Sequence, residues 1–169
     1  MNHKFFTQEN NSVKDQNDLK KVKWDVSREL FQTIKLHNQL NFVLLTQKHI
    51  FLFPGQAFCL WFVGLNPGTN QKSIADQMYV ATPTVSKILS NLEKKGLIER
   101  KKDSKDKRTL RIFLSDEGQK LLKDLRETFI DIINLEFEGM SYEDLCIFKK
   151  CLSQVSTNIL NNLEKTEGS

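Results

Sequence analysis

Apolar side chains recur at every third or fourth position over long stretches of this chain, and such spacing is typical of amphipathic helices. Residues 1–23 are polar and predict a flexible arm. A first long helix is predicted over 24–52, because Phe53-Pro54-Gly55 then interrupts the pattern. A short, very apolar helix from Gln56 to Leu65 follows.

Two more short helices are predicted on either side of Tyr79-Val80-Ala81. Thr69 or Asn70 can cap the first of them, and Thr82 is expected to cap the second, with Pro83 in its first turn. The second helix ends at Gly96, and its apolar side consists of Val85, Leu89 and Leu92. Its polar side carries Thr84, Ser86, Lys87, Ser90 and Asn91.

The segment after Gly96 predicts a two-stranded hairpin. Residues 110–114 alternate between two faces, as a strand does, and they pair across the loop 103–108 with a strand that begins near Leu97. Ser115 then caps a long helix that reaches about Glu136. After Gly139 a last helix carries two seven-residue repeats, formed by Leu145, Leu152 and Ile159 and by Phe148, Val155 and Asn162.

Charge is distributed very unevenly along the chain. The formal net charge is +4, yet residues 94–111 alone hold nine basic and three acidic side chains, a net of +6. Residues 112–169 carry a net of −5. A charged run of this kind is either a solvated surface loop or a contact for a polyanion.

Several classes of protein are disfavoured by the sequence. No apolar run is long enough to span a membrane, and no secretory signal is visible, so a cytoplasmic protein is expected. Three cysteines, Cys59, Cys146 and Cys151, form no metal or disulfide pattern, and three scattered histidines suggest no metal site. No catalytic set or phosphate-binding glycine loop is present, so we expect neither an enzyme nor a cofactor.

The predicted order is a helix-turn-helix followed by a basic two-stranded wing, between two long helical regions. At this point the sequence resembles the MarR (multiple antibiotic resistance regulator) family of winged-helix transcription factors. The family pattern reads LEKKGL(V/I)xR, then DxxDxR, then a strand ending in LTxxG. The matching segments are Gln71–Gln77, Thr82–Lys87, Leu92–Arg100, Asp103–Arg108 and Leu114–Gly118, with Ser115 in place of the usual threonine.

The resemblance implies a mainly α fold with a small β-wing, and a homodimer that binds double-stranded DNA, most often as a repressor. In that family the first and last helices pair across a two-fold axis. Here they are the helix over 24–52 and the helices over 116–163, with 53–115 as the winged helix-turn-helix domain and 164–169 as a tail. A two-fold dimer predicts a pseudo-palindromic operator with half-sites about 34–36 Å apart.

The resemblance also assigns DNA contacts. On the recognition helix these are Thr82, Pro83, Thr84, Ser86 and Lys87, and on the wing they are Lys105, Asp106, Lys107 and Arg108. Arg108 would enter the minor groove, and Asp106 would hold its guanidinium by a bidentate pair. Weaker phosphate contacts are expected from Gln71, Lys72, Lys101 and Lys102.

Members of the family often bind small aromatic anions in a cleft beside the dimer helices. The side chains that would line such an effector pocket here are Trp24, Phe31, His37, Phe58 and Trp61. Two alternatives remain open: a winged helix that binds proteins instead of DNA, and a regulator that responds to oxidation through a cysteine. We expect Cys59 to be buried core, and Cys146 and Cys151 to be packing residues near the dimer seam.

Overall fold

A computed structural model describes residues 5–167, with side chains from residue 16 to residue 166. Its elements are α1 (Phe5–Gln47), α2 (Pro54–Leu65), α3 (Gln71–Met78), α4 (Thr82–Lys94), β1 (Ile98–Lys102), β2 (Leu110–Leu114), α5 (Asp116–Glu136) and α6 (Tyr142–Glu167). This order confirms the predicted mainly helical fold with a small two-stranded wing. The chain divides into two compact units that meet in sequence between Ile132 and Ile133.

Helix α1 is longer than its predicted counterpart at the N-terminal side. It begins at Phe5, so the prediction of an arm over residues 1–23 is wrong from Phe5 onward, and residues 1–4 lie outside the described part. Residues 5–23 contain neither glycine nor proline, and extending a helix costs much less than starting one. The helix ends at Gln47 instead of residue 52, just before His49 adopts a left-handed backbone with φ 57°.

The core of the first unit joins the end of α1 to α2, α3, α4, the wing and α5. Fully buried side chains come from each of these elements: Leu45, Leu60, Val63, Ile74, Val85, Leu89, Leu92, Ile112 and Leu125. Trp61 of α2 packs edge-on against Phe129 of α5, with ring centroids 5.5 Å apart. Burial of such side chains contributes about 1.5–3 kcal/mol each, so this core fixes the placement of α4.

Strands β1 and β2 are antiparallel, with Ile98 opposite Leu114 and Lys102 opposite Leu110. An isolated β-bridge, which the sequence did not predict, joins Thr69, in the turn between α2 and α3, to Ile112 of β2. There the Gly68 N–H donates to the Ile112 carbonyl at 2.9 Å, and the Ile112 N–H donates to the Thr69 carbonyl at 2.8 Å. The wing is therefore fastened to the helix-turn-helix through its second strand.

Helix α5 begins in close contact with the turn between α4 and β1. The Ser115 hydroxyl accepts a hydrogen bond from the Gly118 N–H at 3.0 Å, which confirms the predicted cap, and donates to the Gly96 carbonyl. A Cβ atom at Gly118 would overlap the carbonyl oxygen of Leu97, so only glycine fits there. This contact holds the start of α5 against the base of the wing.

The second unit consists of the end of α5 and all of α6. Ser141 caps α6, because its hydroxyl accepts from the Asp144 N–H at 3.1 Å and donates to the Asp144 carboxylate at 2.7 Å. The helix continues to Glu167, so the predicted tail is helical up to that residue, and residues 168–169 lie outside the described part. None of the described α6 side chains is buried within the chain.

Candidate nucleic-acid interface

Helices α3 and α4 form the predicted helix-turn-helix. The Asn70 side chain caps α3 by accepting from the Ser73 N–H at 2.9 Å, and Tyr79 ends that helix in a left-handed conformation with φ 52°. Across the turn, Gln71 Nε2 donates to the Thr82 carbonyl at 3.1 Å. The Gln71 side chain thus joins the start of α3 to the start of α4, a role that the sequence did not indicate.

The first residues of α4 differ from the prediction by one position. Ala81 occupies the cap, Thr82 is already helical, and Pro83 lies in the first turn, so the prediction that Thr82 caps the helix is wrong. Amide groups of the first turn have no partner within the helix, and proline therefore fits at either of its first two positions. The Thr82-Pro83 pair alone therefore does not determine which residue caps the helix.

The polar side of α4 lies at the surface of the first unit, as predicted. Thr82, Pro83, Thr84 and Lys87 are exposed, and Ser86 is half-buried. A shallow groove on this side is lined by Pro83, Ser86, Lys87, Ser90, Asn91 and Lys94. The last three were absent from the predicted contacts, although the helical pattern already placed Ser90 and Asn91 on the polar side. The groove combines hydroxyl, amide and ammonium groups, all of which can bind phosphates or base edges.

The wing, residues 98–114, has a well-connected loop at its tip. Asp103 Oδ1 accepts from the N–H groups of Lys105 and Asp106 at 2.7 and 2.9 Å, and Asp103 Oδ2 accepts from Arg111 Nε at 2.6 Å. Arg111 Nη1 also donates to the Gly68 carbonyl at 3.3 Å. The hydrogen bond from the Asp106 N–H, together with those from Arg111 and the Lys105 N–H, lowers the pKa of Asp103 to about 2.

Asp106 makes different contacts from those expected. Its Oδ1 accepts from the backbone N–H of Arg108 at 3.0 Å, and its Oδ2 accepts from the Thr109 hydroxyl at 2.8 Å. No ion pair between Asp106 and the Arg108 guanidinium occurs in the described residues, so the predicted bidentate pair is wrong for this chain alone. An aspartate readily closes a turn onto the N–H two residues later, and this local contact takes precedence here.

The basic side chains of the wing divide into two groups. Three of them have acidic partners: Arg100 Nε lies 3.2 Å from Glu93, Lys101 Nζ lies 2.8 Å from Glu99, and Arg111 pairs with Asp103. In the part of the chain that the structure describes, no carboxylate pairs with the other four, which are exposed: Lys102, Lys105, Lys107 and Arg108. The unpaired positive charge is therefore concentrated at the end of the wing.

The four weaker predicted phosphate contacts also divide into side chains that have a partner within the protein and side chains that have none among the described residues. Lys72 is exposed in the first turn of α3, where its charge and the free N–H groups of the helix could both meet a phosphate. The Gln71 side chain is held by the Thr82 carbonyl. Lys101 lies against Glu99 and over the Phe113 ring, 5.4 Å from its centroid. Lys72 and Lys102 are the better placed of the four predicted phosphate contacts.

The five predicted effector residues are widely spread. Trp24, Phe31 and His37 span about 20 Å of α1, given the rise of a helix per residue. Trp24 and Phe31 are 78% and 61% exposed. Phe58 is partly exposed on α2, whereas Trp61 packs against Phe129. The effector pocket remains a prediction.

The cysteines occupy two kinds of surroundings. Cys59 is fully buried, as predicted, and burial raises the pKa of its thiol to about 12. A thiol in such surroundings is a poor nucleophile, and this counts against a redox role for Cys59. Cys146 and Cys151 are exposed on α6.

Two general exclusions apply to the described residues. None of their helices combines the length and the apolar character that crossing a membrane requires. No three histidine, cysteine, aspartate or glutamate side chains among them come together as a metal site would require.

The segment that carries this surface is similar to a known protein family. The profile of the MarR family matches residues 52–110, which include the helix-turn-helix, β1 and the wing loop. A curated relative, the uncharacterized HTH-type transcriptional regulator YsmB of Bacillus subtilis (strain 168), is 29% identical over 82 residues. That match covers 48% of this chain and 56% of YsmB, so the chain spans little more than half the length of this relative.

Solved structures match over more of the chain. A MarR protein from Peptoclostridium difficile superposes with a TM-score of 0.75 at 24% identity, covering 83% of this chain and 91% of its own. The S. aureus MepR–DNA complex superposes with a TM-score of 0.69 at 28% identity, covering 76% of this chain and 95% of its own. The curated relatives that match are described as HTH-type transcriptional regulators. Over residues 52–110 this chain is therefore similar to the MarR family, and its fold is similar to that of the solved MarR-family structures.

Proposed function

We propose that this protein binds double-stranded DNA through α4 and the wing, and that it regulates transcription at the sites it recognises. The observation that carries this proposal is the group of unpaired cations at the end of the wing, Lys102, Lys105, Lys107 and Arg108. Cations of this kind bind phosphates by releasing the counterions of the duplex. The similarity to MepR, whose structure was solved with DNA, supports the same conclusion.

The two parts of the surface have different tasks in this proposal. The groove on α4 offers Ser86, Lys87, Ser90 and Asn91 to base edges and phosphates of a major groove. Arg108 enters the neighbouring minor groove, where a narrow groove concentrates negative potential. Lys105 and Lys107 contact the flanking phosphates.

The test is the substitution Arg108→Ala, compared with Arg126→Ala, which removes an exposed arginine from α5. DNA binding is measured by fluorescence anisotropy on a duplex selected by the wild-type protein from a random-sequence pool. Arg108→Ala should weaken binding about 10- to 100-fold, the range for loss of one specific contact, and Arg126→Ala should leave it unchanged. Equal affinities for the two variants would contradict the assignment of the wing.

We further propose that the protein acts as a homodimer on a pseudo-palindromic operator. The apolar side of α6 supports this, because Phe148, Leu152, Val155, Ile159 and Leu163 are all at least 37% exposed within the chain. Rows of this kind are normally covered by another surface. A second copy would cover them and would set two recognition helices about one helical turn of DNA apart.

We also propose that the protein represses transcription and that it is located in the cytoplasm. A small aromatic or anionic effector would release it from DNA. Trp24 and Phe31 are too exposed to enclose a ligand within one chain. We therefore place any effector site that contains them at the surface where two copies meet. Capture of bound genomic DNA, followed by measurement of transcripts after deletion of the gene, would identify the operator. A rise in the neighbouring transcripts would support repression, and a fall would support activation.

The alternative of a protein-binding winged helix is less well supported. A protein-binding wing does not require four exposed cations without acidic partners, and such a cluster is costly to bury against an uncharged surface. The alternative of a redox-responsive regulator finds no support at Cys59, whose thiol is buried with a raised pKa.

A further inference from the structure

The two aspartates of the wing loop direct their carboxylate oxygens at the loop itself. Asp103 accepts from the N–H groups of Lys105 and Asp106, and Asp106 accepts from the N–H of Arg108 and the hydroxyl of Thr109. Two backbone hydrogen bonds close the same loop: the Thr109 N–H donates to the Asp106 carbonyl, and the Asp103 N–H donates to the Thr109 carbonyl, both at 2.9 Å. The loop is thus held at almost every residue without any contact to DNA.

This arrangement explains why acidic residues occur among the wing cations. A carboxylate close to phosphates is repelled by them, and both Asp103 and Asp106 lie between lysines in sequence. Their oxygens, however, are occupied by N–H and O–H donors, which offset part of the negative charge. In return, the backbone that carries Lys105, Lys107 and Arg108 is ordered before it meets DNA, so less conformational entropy is lost on binding.

We propose that Asp106 and Asp103 are positioning residues for DNA recognition, and that Asp106 acts through the Arg108 backbone and the Thr109 hydroxyl instead of by holding the Arg108 guanidinium. The inference rests on the proposed function. In a guanidinium clamp, Asp106 would instead hold the Arg108 guanidinium by an ion pair. The two roles differ in one measurable respect. An asparagine at position 106 retains an oxygen for the Arg108 N–H, and its amide can donate to the Thr109 hydroxyl, but it cannot form an ion pair with Arg108.

The test compares Asp106→Asn with Asp106→Ala on the selected duplex. Asp106→Asn should bind within about threefold of the wild type, because both local hydrogen bonds can persist. Asp106→Ala should bind about 10-fold more weakly, because both are lost. Asp76→Asn, which removes one exposed carboxylate from α3, is the matched control for charge and should bind like the wild type.

Thr109 and Asp103 provide independent variants. Thr109→Val keeps the shape of the side chain but removes its hydroxyl, and it should weaken binding about threefold. Asp103→Asn can keep the bonds to the Lys105 and Asp106 N–H groups but loses the ion pair with Arg111. It should therefore bind more tightly than Asp103→Ala.

Hydrogen exchange of the Arg108 amide in the DNA-free protein separates positioning from general damage. Exchange at this amide should accelerate in Asp106→Ala and stay slow in Asp106→Asn, while amides of α4 keep the wild-type rate. Equal losses of affinity in Asp106→Asn and Asp106→Ala would overturn the inference in favour of a guanidinium clamp. Wild-type affinity in Asp106→Ala would overturn it altogether.

Failure of the inference can be distinguished from failure of the proposed function. If the wild-type protein binds no duplex at all, the proposed function is wrong and the positioning role is wrong with it. If the wild-type protein binds and Arg108→Ala binds weakly, but Asp106→Ala matches the wild type, only the inference is wrong.

Discussion

Helices α4 and α6 each carry a row of apolar side chains along one side, but only the row on α4 is buried. Val85, Leu89 and Leu92 of α4 are completely buried. On α6 the corresponding positions Leu152 and Ile159 are 38% and 53% exposed. The periodicity of a helix therefore shows which side will be covered, whereas it does not show whether the covering surface belongs to the same chain.

The difference matters because the two helices should respond differently to protein concentration. Stability that comes from packing within one chain is independent of concentration, whereas stability that comes from a second copy follows mass action. Three measurements distinguish packing within one chain from packing between two copies.

The largest effect is expected from truncation of the α4 row. Leu89→Ala should lower the free energy of unfolding by about 2–5 kcal/mol, because it leaves a cavity in the centre of the first unit. Urea denaturation measures this loss, which should be the same at every protein concentration. Lys87→Ala, at an exposed position on the same helix, should change the stability by less than about 0.5 kcal/mol.

A charge on the α6 row should act on assembly. Leu152→Asp should raise the dissociation constant of the proposed homodimer at least about 10-fold, equivalent to about 1.4 kcal/mol, because a carboxylate would be desolvated at the contact. Analytical ultracentrifugation measures the constant, and circular dichroism should show unchanged helix content. Asn161 lies on the opposite side of α6, so the control variant Asn161→Asp should dimerise normally. A dimer of Leu152→Asp as tight as the wild type would remove α6 from the interface.

The smallest effect is expected from chemical labelling of the thiols, which leaves the fold unchanged. Cys59 should resist iodoacetamide in the native protein, because burial raises the pKa of its thiol to about 12 and little thiolate forms at neutral pH. Cys146 and Cys151 should react in protein diluted below the dissociation constant of the proposed dimer. Mass spectrometry counts the labels, and labelling of Cys59 without denaturant would contradict the packing of α2.

Much of the first unit could be predicted, because local patterns and burial agree there. The apolar side of α4, the strand at residues 110–114 and the cap at Ser115 are all found in the structure. Each depends on neighbouring residues, such as an i, i+4 spacing or a hydroxyl just before a helix. The start of α1 could not be predicted in this way, since no glycine or proline marks it.

The contacts of the wing were the hardest to predict. Arg111 meets Asp103 eight residues away and also reaches Gly68, so its partner depends on the pairing of the strands and on the turn after α2. The sequence pattern pairs Asp106 with the Arg108 side chain, whereas its carboxylate accepts from the Arg108 backbone N–H and the Thr109 hydroxyl. Charge patterns locate a polar site, but they do not show which oxygen accepts from which donor.

The absence of a side chain at Gly118 has a mechanical consequence. Because the Leu97 carbonyl fills the space that a Cβ would need, α5 cannot slide along the base of the wing. It can only turn about that point, which makes the junction a fulcrum. From Asp116 to Ile132 the helix spans about 24 Å, so a rotation of a few degrees displaces its far end by more than an ångström while its near end scarcely translates. A force applied across the far end of α5 therefore acts on the base of the wing as torque.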